Sequence, residues 1–355
     1  MIGDPSGRTD ERTFLSESDL GANVAGIQAQ LGQFLDFAGP RGAKLLNNLE
    51  WLGRISFLDF LRNVGKYYTV NQMLAKESVK LRLDRSQEGA EGISYTEFSY
   101  MLMQAYDFLH LFDTRGCRLQ MGGSDQWGNI TAGIELIGRL RGEQAYGLVT
   151  PLVTRSDGQK FGKSESGNIW LDEDMTSPYR FYQYWINVSD ADVDRYLKYL
   201  TLMSAEEIDE LTRAHAAAPH ERLGQAALAD DLTRRVHGET GRLRAIAATK
   251  ALFGGNLSDL TPTELADVFV DVPSIDLAAV NDARSPFTAV DLAVWSGMTG
   301  SKGEARRLIQ GGGVFINNRK VEDSASPIDR SARLHDRYLV LRKGKKNYWL
   351  ITWAD

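Results

Sequence analysis

The sequence ISYTEFSYMLMQAYDFLHLF at residues 93–112 is mostly apolar or aromatic at helical spacing, and it predicts a buried helix. Tyr100, Gln104 and Asp107 interrupt the apolar surface at spacings that place all three side chains on one face of that helix. A buried carboxylate, amide and phenol cost free energy unless each is hydrogen-bonded. The three side chains therefore predict either a hydrogen-bonded core network, or a polar pocket for a small molecule that carries donors and a charge.

The composition is that of an ordinary soluble globular protein, and a length of 355 residues predicts two or three domains. The sequence contains no apolar run as long as a membrane span and no N-terminal signal pattern. Cys117 is the single cysteine, which excludes an internal disulfide framework and indicates a reducing, cytoplasmic compartment. We expect Cys117 to be a structural thiol at the start of a buried strand.

Charge is distributed unevenly along the chain, although the net charge is only −6. From Ser285 onward there are 12 basic and 7 acidic side chains, a net charge of +5, while the rest of the chain carries −11. This asymmetry indicates either that the C-terminal segment binds a polyanion or that it has a solvated basic surface.

A glycine-rich turn, GGSDQWGN at residues 122–129, lies between a predicted strand at 118–121 and a predicted helix at 130–140. Asp125 and Gln126 would then lie at a helix N-terminus, at the carboxyl end of a strand, where α/β sheets bind ligands. A further strand is predicted at 146–153. The turn favours a ligand site, although a capped strand–helix junction needs only one of these residues.

Two basic loops are candidates for contact with phosphate. The first carries Lys160 and Lys163 in the sequence KFGKS, where both ammonium groups can reach phosphate oxygens and neutralise developing charge. The second carries Arg8 and Arg12 after a Gly/Pro loop. The alternatives are an ordinary exposed loop for the lysines and a frayed N-terminus for the arginines.

The segment after residue 176 is predicted to be helical, with helix starts at Ser177-Pro178, Ser204 and Thr261-Pro262 and a long amphipathic stretch at 219–236. From Phe287 onward the pattern is α+β: two short helices, a tight hairpin around Asn317-Asn318, and paired strands at 337–342 and 347–353. Basic residues on one helix and on the strand turns suit RNA phosphates; these are Lys302, Arg306, Arg307, Arg319, Lys320, Lys343, Lys345 and Lys346. No His, Cys or carboxylate spacing is typical of a zinc site, so no structural metal is predicted.

Taken in order, these motifs resemble those of bacterial tyrosyl-tRNA synthetases, which are class I aminoacyl-tRNA synthetases. KFGKS at 160–164 is similar to the signature loop of that class, GGSDQWGN to its nucleotide and amino-acid turn, and residues 94–108 to its tyrosine-binding helix. The resemblance covers essentially the whole chain. It implies an α/β protein with an N-terminally incomplete Rossmann-type catalytic domain at 1–175, an α-helical domain at 176–280 and an S4-like α+β RNA-binding domain at 286–355.

The resemblance also implies a role for each candidate residue. Tyrosine would be bound through its ammonium group by Asp4, Tyr100 and Gln104 and through its hydroxyl by Asp107, with Gln126 beside its polar end. ATP would contact Gly123 and Asp125 at its ribose, while Lys160, Lys163 and Ser164 would close over the leaving pyrophosphate and Arg8 and Arg12 would lie on a second basic loop. The partners implied are tyrosine, ATP with Mg²⁺, tRNA(Tyr) and a second copy of the chain, with no membrane.

One departure concerns histidine. The family's HxGH motif is expected before Met1, and none of the five histidines of this chain forms it. We therefore expect these 355 residues alone to run adenylation more slowly than the family does, which ATP–pyrophosphate exchange would measure. The alternatives to a tyrosine–tRNA ligase are a catalytically inactive S4-type RNA-binding protein and a tryptophan-specific synthetase of the same class.

Overall fold

In the computed structural model the chain forms two compact units, residues 1–154 and residues 155–355. The described residues are 2–4, 15–76, 79–80, 83–84, 92–156, 161, 163–164, 167–252, 254–270, 272–280, 286–344 and 347–354, with only the backbone at 163, 164 and 167.

Unit 1 contains α-helices and a pair of parallel strands. Its helices are α1 (Glu17–Leu31), α2 (Leu49–Leu52), α3 (Phe57–Asn63), α4 (Val70–Leu74), α5 (Tyr95–Arg115) and α6 (Trp127–Arg141), and its strands are β1 (Leu119–Gly123) and β2 (Tyr146–Thr150). The helix predicted at 93–112 is confirmed as α5. It begins with a capping box in which Ser94 and Glu97 bond each other's backbone amides, and it ends at Gly116 in the left-handed conformation.

The core of unit 1 lies between α5 and α6. Leu102, Ala105 and Phe108 of α5 pack with Leu136 and Ile137 of α6 in one buried cluster. The two helices approach so closely that a side chain at Gly133 would place its Cβ 2.8 Å from the ring of Phe108. Close packing against α6 therefore fixes the orientation of α5, and with it the polar face of α5.

The strands β1 and β2 pair in parallel, with Leu119 opposite Tyr146 and Gly123 opposite Thr150. Their positions confirm the strands predicted from sequence, but the expectation of a buried strand after Cys117 is wrong. Leu119 is 47% exposed and Met121 is 61% exposed. Among the described residues of unit 1, one face of this strand pair is packed, and there a Cβ at Gly147 would lie 2.6 Å from Ile130 of α6.

Unit 2 begins with two short strands and continues as a helical segment. Its strands are β3 (Lys163–Ser164) and β4 (Gly167–Asn168), and its helices are α7 (Pro178–Ile186), α8 (Asp190–Leu200), α9 (Ala205–Ala217), α10 (Leu223–Leu252) and α11 (Pro262–Val268). The predicted helix starts at Ser177, Ser204 and Thr261 are confirmed as side-chain caps. The stretch predicted at 219–236 continues to Leu252, across a kink at Gly238 with φ 73° and ψ 176°.

The C-terminal part of unit 2 is an α+β arrangement. Its remaining elements are β5 (Ser274–Asp276), β6 (Phe287–Thr288), α12 (Ala289–Trp295), α13 (Lys302–Gln310), β7 (Val314–Ile316), β8 (Arg319–Lys320), β9 (Pro327–Ile328), β10 (Tyr338–Lys343) and β11 (Asn347–Thr352). Five strands form one sheet in the order β5-β11-β10-β7-β8. The predicted hairpin around Asn317-Asn318 is confirmed, and so is the pairing of β10 with β11.

Two further observations concern the helices. Ser301 caps α13 by accepting from the amide of Glu304, and the Glu304 carboxylate accepts from the amide of Gly300. Within the described ranges, no helix is both long and apolar enough to cross a membrane.

Candidate functional site

Tyr100, Gln104 and Asp107 are all half-buried on α5. The carboxylate of Asp107 accepts a hydrogen bond from Asn48 Nδ2 at 2.8 Å and from Trp51 Nε1 at 2.6 Å. Burial raises the pKa of the Asp107 carboxyl, and the bonds from Asn48 and Trp51 offset only part of that increase. A carboxylate has about four acceptor positions, so Asp107 keeps capacity for a further donor.

Asn48 and Trp51 were not among the residues selected from the sequence. Asn48 is the N-cap of the short helix α2 and Trp51 lies within that helix. The Trp51 ring also stacks on His110 of α5, with centroids 4.5 Å apart and an interplanar angle of 15°. The only signal in the sequence is a polar residue and an aromatic residue three positions apart in a short apolar stretch. That signal does not indicate which carboxylate the two donors reach.

Gln126 and Asp4 are 122 positions apart in the chain and are in contact in the structure. Gln126 Nε2 donates to Asp4 Oδ2, and the buried Asn129 Nδ2 donates to Gln126 Oε1 at 3.4 Å. Because Asn129 belongs to the first turn of α6, the helix fixes which way the Gln126 amide faces. Two predicted tyrosine-binding residues therefore form one polar cluster at the carboxyl end of β1.

In the turn between β1 and α6, a side chain at position 123 would displace two neighbouring side chains. A Cβ on Gly123 would lie 2.6 Å from Asp125 Oδ1 and 3.0 Å from a methyl group of Leu152. The backbone at Gly123 is ordinary, with φ −72° and ψ 164°, so a substitution here acts through the side chains that it displaces and not through backbone strain. Asp125 is exposed at the start of this junction.

The lysine loop is only partly described. Lys160 lies outside the described residues, and Lys163 and Ser164 are described as backbone in β3, which pairs antiparallel with β4. Arg8 and Arg12 also lie outside them.

The segments that flank the lysine loop contact α7 and α8. Ser156 donates through its amide and its hydroxyl to the buried carboxylate of Asp192, at 2.9 and 3.0 Å. The Phe161 ring lies 5.3 Å from that of Tyr196 and 5.8 Å from that of Trp185.

Some of the predicted RNA-binding side chains are exposed and form no ion pair with a described residue, and others are paired or partly buried. Arg306 and Arg307 on α13 and Arg319 and Lys320 on β8 are exposed. Lys302 Nζ instead donates to Asp291 at 2.8 Å. Burial raises the Asp291 pKa, but bonds from Lys302 and Thr288 outweigh it and leave that pKa below its usual value.

The remaining predicted RNA-binding lysines are Lys343, Lys345 and Lys346. Lys343 is half-buried, and its Nζ contacts the carbonyl of Met298 at 3.4 Å. Lys345 and Lys346 lie outside the described residues. In the part of the chain that the structure describes, no cluster of His, Cys, Asp and Glu side chains could hold a metal ion.

Comparison with known proteins decides the family. The model of "tRNA synthetases class I (W and Y)" matches residues 1–254, and the model of the "Tyrosine--tRNA ligase SYY-like C-terminal domain" matches residues 264–351. The chain belongs to the tyrosine–tRNA ligase family. Such a ligase from Roseiflexus castenholzii is 55% identical over 99% of this chain and 82% of its own length, and one from Geobacillus stearothermophilus is 49% identical over 100% and 82%.

Solved structures agree with this assignment. The C-terminally truncated mitochondrial tyrosyl-tRNA synthetase of Aspergillus nidulans has a TM-score of 0.57 and 30% identity, covering 71% of this chain and 73% of that one. Membership of the family confirms the predicted α/β class and makes the chain an aminoacyl-tRNA synthetase, which is a ligase. The similarity supports tyrosine as its amino acid and supports neither the tryptophan-specific enzyme nor the inactive RNA-binding protein.

Proposed function

We propose that this tyrosine–tRNA ligase recognises its amino acid through the carboxylate of Asp107, which accepts a hydrogen bond from the phenolic hydroxyl of tyrosine. The observation that carries the proposal is the pair of donors from Asn48 and Trp51, which holds a half-buried carboxylate in one orientation. Phenylalanine lacks the hydroxyl and would leave that acceptor unpaired, which costs binding free energy. Selectivity between the two amino acids then depends on this one group.

The polar end of tyrosine is assigned to the other side chains of the cluster. Asp4, Tyr100 and Gln104 bind the ammonium group, and Gln126 lies beside the carboxylate. The contact between Asp4 and Gln126 supports this assignment, because it brings a carboxylate and an amide together at the carboxyl end of β1. The positions of all four residues relative to tyrosine follow from the family resemblance.

Adenylation needs positioned reactants and stabilised phosphate charge, and it needs no protein nucleophile. Gly123 and Asp125 are assigned to the ATP ribose, and the exposed position of Asp125 beside the carboxyl end of β1 supports the assignment. Lys160, Lys163 and Ser164 close over the leaving pyrophosphate, the two lysines by neutralising charge and Ser164 by donating a hydrogen bond, and Arg8 and Arg12 contribute from the second basic loop. Mg²⁺ enters with ATP as part of the substrate and shares that neutralisation.

The tRNA is assigned to the C-terminal α+β part, used as an S4-like domain. Its exposed Arg306, Arg307, Arg319 and Lys320 support the assignment, because exposed cations bind phosphate at the lowest desolvation cost. A cytoplasmic location is part of the same proposal, and the similarity to bacterial tyrosine–tRNA ligases supports it.

A homodimer is the proposed assembly. Unit 1 exposes large apolar side chains on α3 and α4, among them Phe57 at 63%, Leu58 at 76% and Val70 at 59%. A second copy would remove this surface from water. Sedimentation velocity would detect the dimer, and a monomer at micromolar concentration would contradict it.

The substitution Asp107→Asn tests the recognition of tyrosine. It keeps the size of the side chain but removes the charged acceptor, so we expect tyrosine affinity to fall about 10- to 100-fold. Binding would be measured through the shift in unfolding temperature on titration with tyrosine and, separately, with phenylalanine. Phenylalanine binding should change far less.

Asp113→Asn is the matched control. Asp113 belongs to the same helix but is paired with Arg141, whose Nε and Nη2 donate at 2.8 and 2.6 Å. Asp113→Asn should therefore leave tyrosine binding unchanged. Equal protection of the unaltered chain by tyrosine and phenylalanine would contradict the role of Asp107, and a lack of tyrosine binding would contradict the proposed function itself.

A further inference from the structure

The C-terminal end of α10 is capped by side chains that come from the β-sheet of the same unit. Asn318 Nδ2 donates to the carbonyl of Ala251 at 2.6 Å and to that of Gly255 at 3.0 Å. The hydroxyl of Tyr348 donates to the carbonyl of Leu252. Carbonyls at a helix end have no partner within the helix and carry the negative end of its dipole, so donors from elsewhere stabilise them.

The polar cap lies beside an apolar interface. Leu257, Leu265 and Phe269 of the helical segment are fully or almost fully buried in one cluster with Val340 and Leu350 of the sheet. Burial of this kind keeps the two surfaces in contact, but it is non-directional and does not by itself fix the orientation of the hairpin tip. Hydrogen bonds from Asn318 to two backbone carbonyls supply that direction.

Asn317 and Asn318 occupy the same turn and differ in what they bind. Both have a left-handed backbone, with φ 49° and φ 64°, as a two-residue hairpin turn requires. Among the described residues, Asn317 bonds within the C-terminal α+β part, donating to the carbonyl of Ala332 and accepting from the amide of Val340. Asn318 instead reaches α10, 67 positions away.

We propose that Asn318 is a positioning residue for RNA binding, which holds the basic hairpin at a fixed place on the end of α10. The inference rests on the proposed function, in which Arg319 and Lys320 bind tRNA phosphates. Both cations directly follow Asn318 in β8 and are exposed. Binding to a surface whose residues are already held in place loses less conformational entropy than binding to one whose residues must first be ordered. The hydrogen bonds of Asn318 to α10 therefore raise the affinity for RNA although Asn318 does not contact RNA.

The test compares Asn318→Gly with Asn317→Gly. Glycine accepts the left-handed backbone at both positions, so each variant keeps the turn and loses only its side-chain bonds. Asn318→Asp is a second variant of the first position: it has the same size and tolerates the same backbone, but it offers no donor and places charge against carbonyl oxygens. Circular dichroism would confirm that all three variants are folded.

Two measurements distinguish a positioning role of Asn318 from a general loss of structure in the variant. The first is hydrogen exchange of the amides of residues 248–252 and 254–256 in the free protein, which we expect to accelerate in Asn318→Gly and not in Asn317→Gly. The second is tRNA affinity over a range of salt. Asn318→Gly should weaken binding about 3- to 10-fold, and Asn318→Asp at least as much, with the salt slope unchanged because the phosphate contacts remain.

Unchanged tRNA affinity in Asn318→Gly would overturn the positioning role and leave the RNA-binding function standing. An equal loss of affinity in Asn317→Gly would also overturn it, since the effect would then belong to the hairpin as a whole. Absence of tRNA binding by the unaltered chain would overturn the proposed RNA-binding function and, with it, any role of Asn318 in that function.

Discussion

The carboxylate of Asp107 is half-buried and hydrogen-bonded, and these two conditions act on its pKa in opposite directions. Burial raises the pKa, while the bonds from Asn48 and Trp51 and the nearby His110 lower it, and the net shift is upward from 3.8. A carboxyl whose pKa is raised by folding holds its proton more tightly in the folded state than in the unfolded state. The ionised form therefore costs stability.

The free energy of unfolding should fall as the pH rises from 3.8 through the raised pKa of Asp107. Below this window both states are protonated and the penalty is absent; above it both states are ionised and the penalty is complete. Asp107→Asn removes this titrating carboxyl. The free energy of unfolding of the variant, measured with urea, should therefore not show the decrease that Asp107 causes in this pH window. Asp113→Asn serves as the control, and a decline that is identical in the unaltered chain and Asp107→Asn would contradict the effect.

Sequence reasoning found the acceptor but could not find the residues that hold it. Asp107 was predicted because a carboxylate interrupts an apolar helix face, a pattern within one element. Asn48 and Trp51 lie 59 and 56 positions away, on a four-residue helix whose packing against α5 has no periodic signal. Contacts between distant elements depend on tertiary packing, which spacing along the chain does not encode.

At the scale of elements, the turn from β1 to α6 shows how space at one residue can affect a neighbouring functional group. The Cβ of Gly123→Ala would meet only the ends of two exposed side chains, Asp125 and Leu152, which can move aside. We expect the free energy of unfolding to fall by only about 1 kcal/mol. The displaced Asp125 should weaken ATP binding by about 10-fold, the effect of losing one hydrogen bond to a charged group, and calorimetric titration would measure it.

Gly26→Ala provides the control for that substitution. Gly26 lies inside α1, and a Cβ there would have no atom within 4 Å. Because alanine favours a helix over glycine by about 1 kcal/mol, this variant should be slightly stabilised and should bind ATP normally. Normal ATP binding by Gly123→Ala as well would contradict the role given to the turn.

The observed helices and turns show which local sequence signals are enough to predict an element. The Asn-Asn turn and the serine and threonine caps were predicted correctly, because each depends on a few adjacent residues. The extent of α10 was not predicted, since His237 and Gly238 interrupt the apolar period and favour a helix end there. Gly238 instead adopts φ 73° and the chain resumes a helix beyond it, a continuation that the surrounding packing decides.

At the scale of the whole molecule, the segment from Ser285 carries a net charge of +5 within a protein of net charge −6. The structure refines this count, because a cation already paired with a carboxylate contributes less to RNA binding than a free one. All three cations of α13 are exposed, but Lys302 is bonded to Asp291, whereas Arg306 and Arg307 form no ion pair with any described residue. Net charge alone does not distinguish these cases.

The salt dependence of tRNA binding tests this distinction. If Arg306 and Arg307 each contact a phosphate, alanine at either position should reduce the slope of log K against log salt by about 0.7–0.9, with affinity falling for any RNA sequence. Lys302→Ala is the matched control on the same helix. It should change the slope much less, because Asp291 already neutralises the ammonium at 2.8 Å. A reduction that is equal for Lys302 and Arg306 would show that RNA displaces the ion pair on binding, and that pairing in the free protein does not select the phosphate contacts.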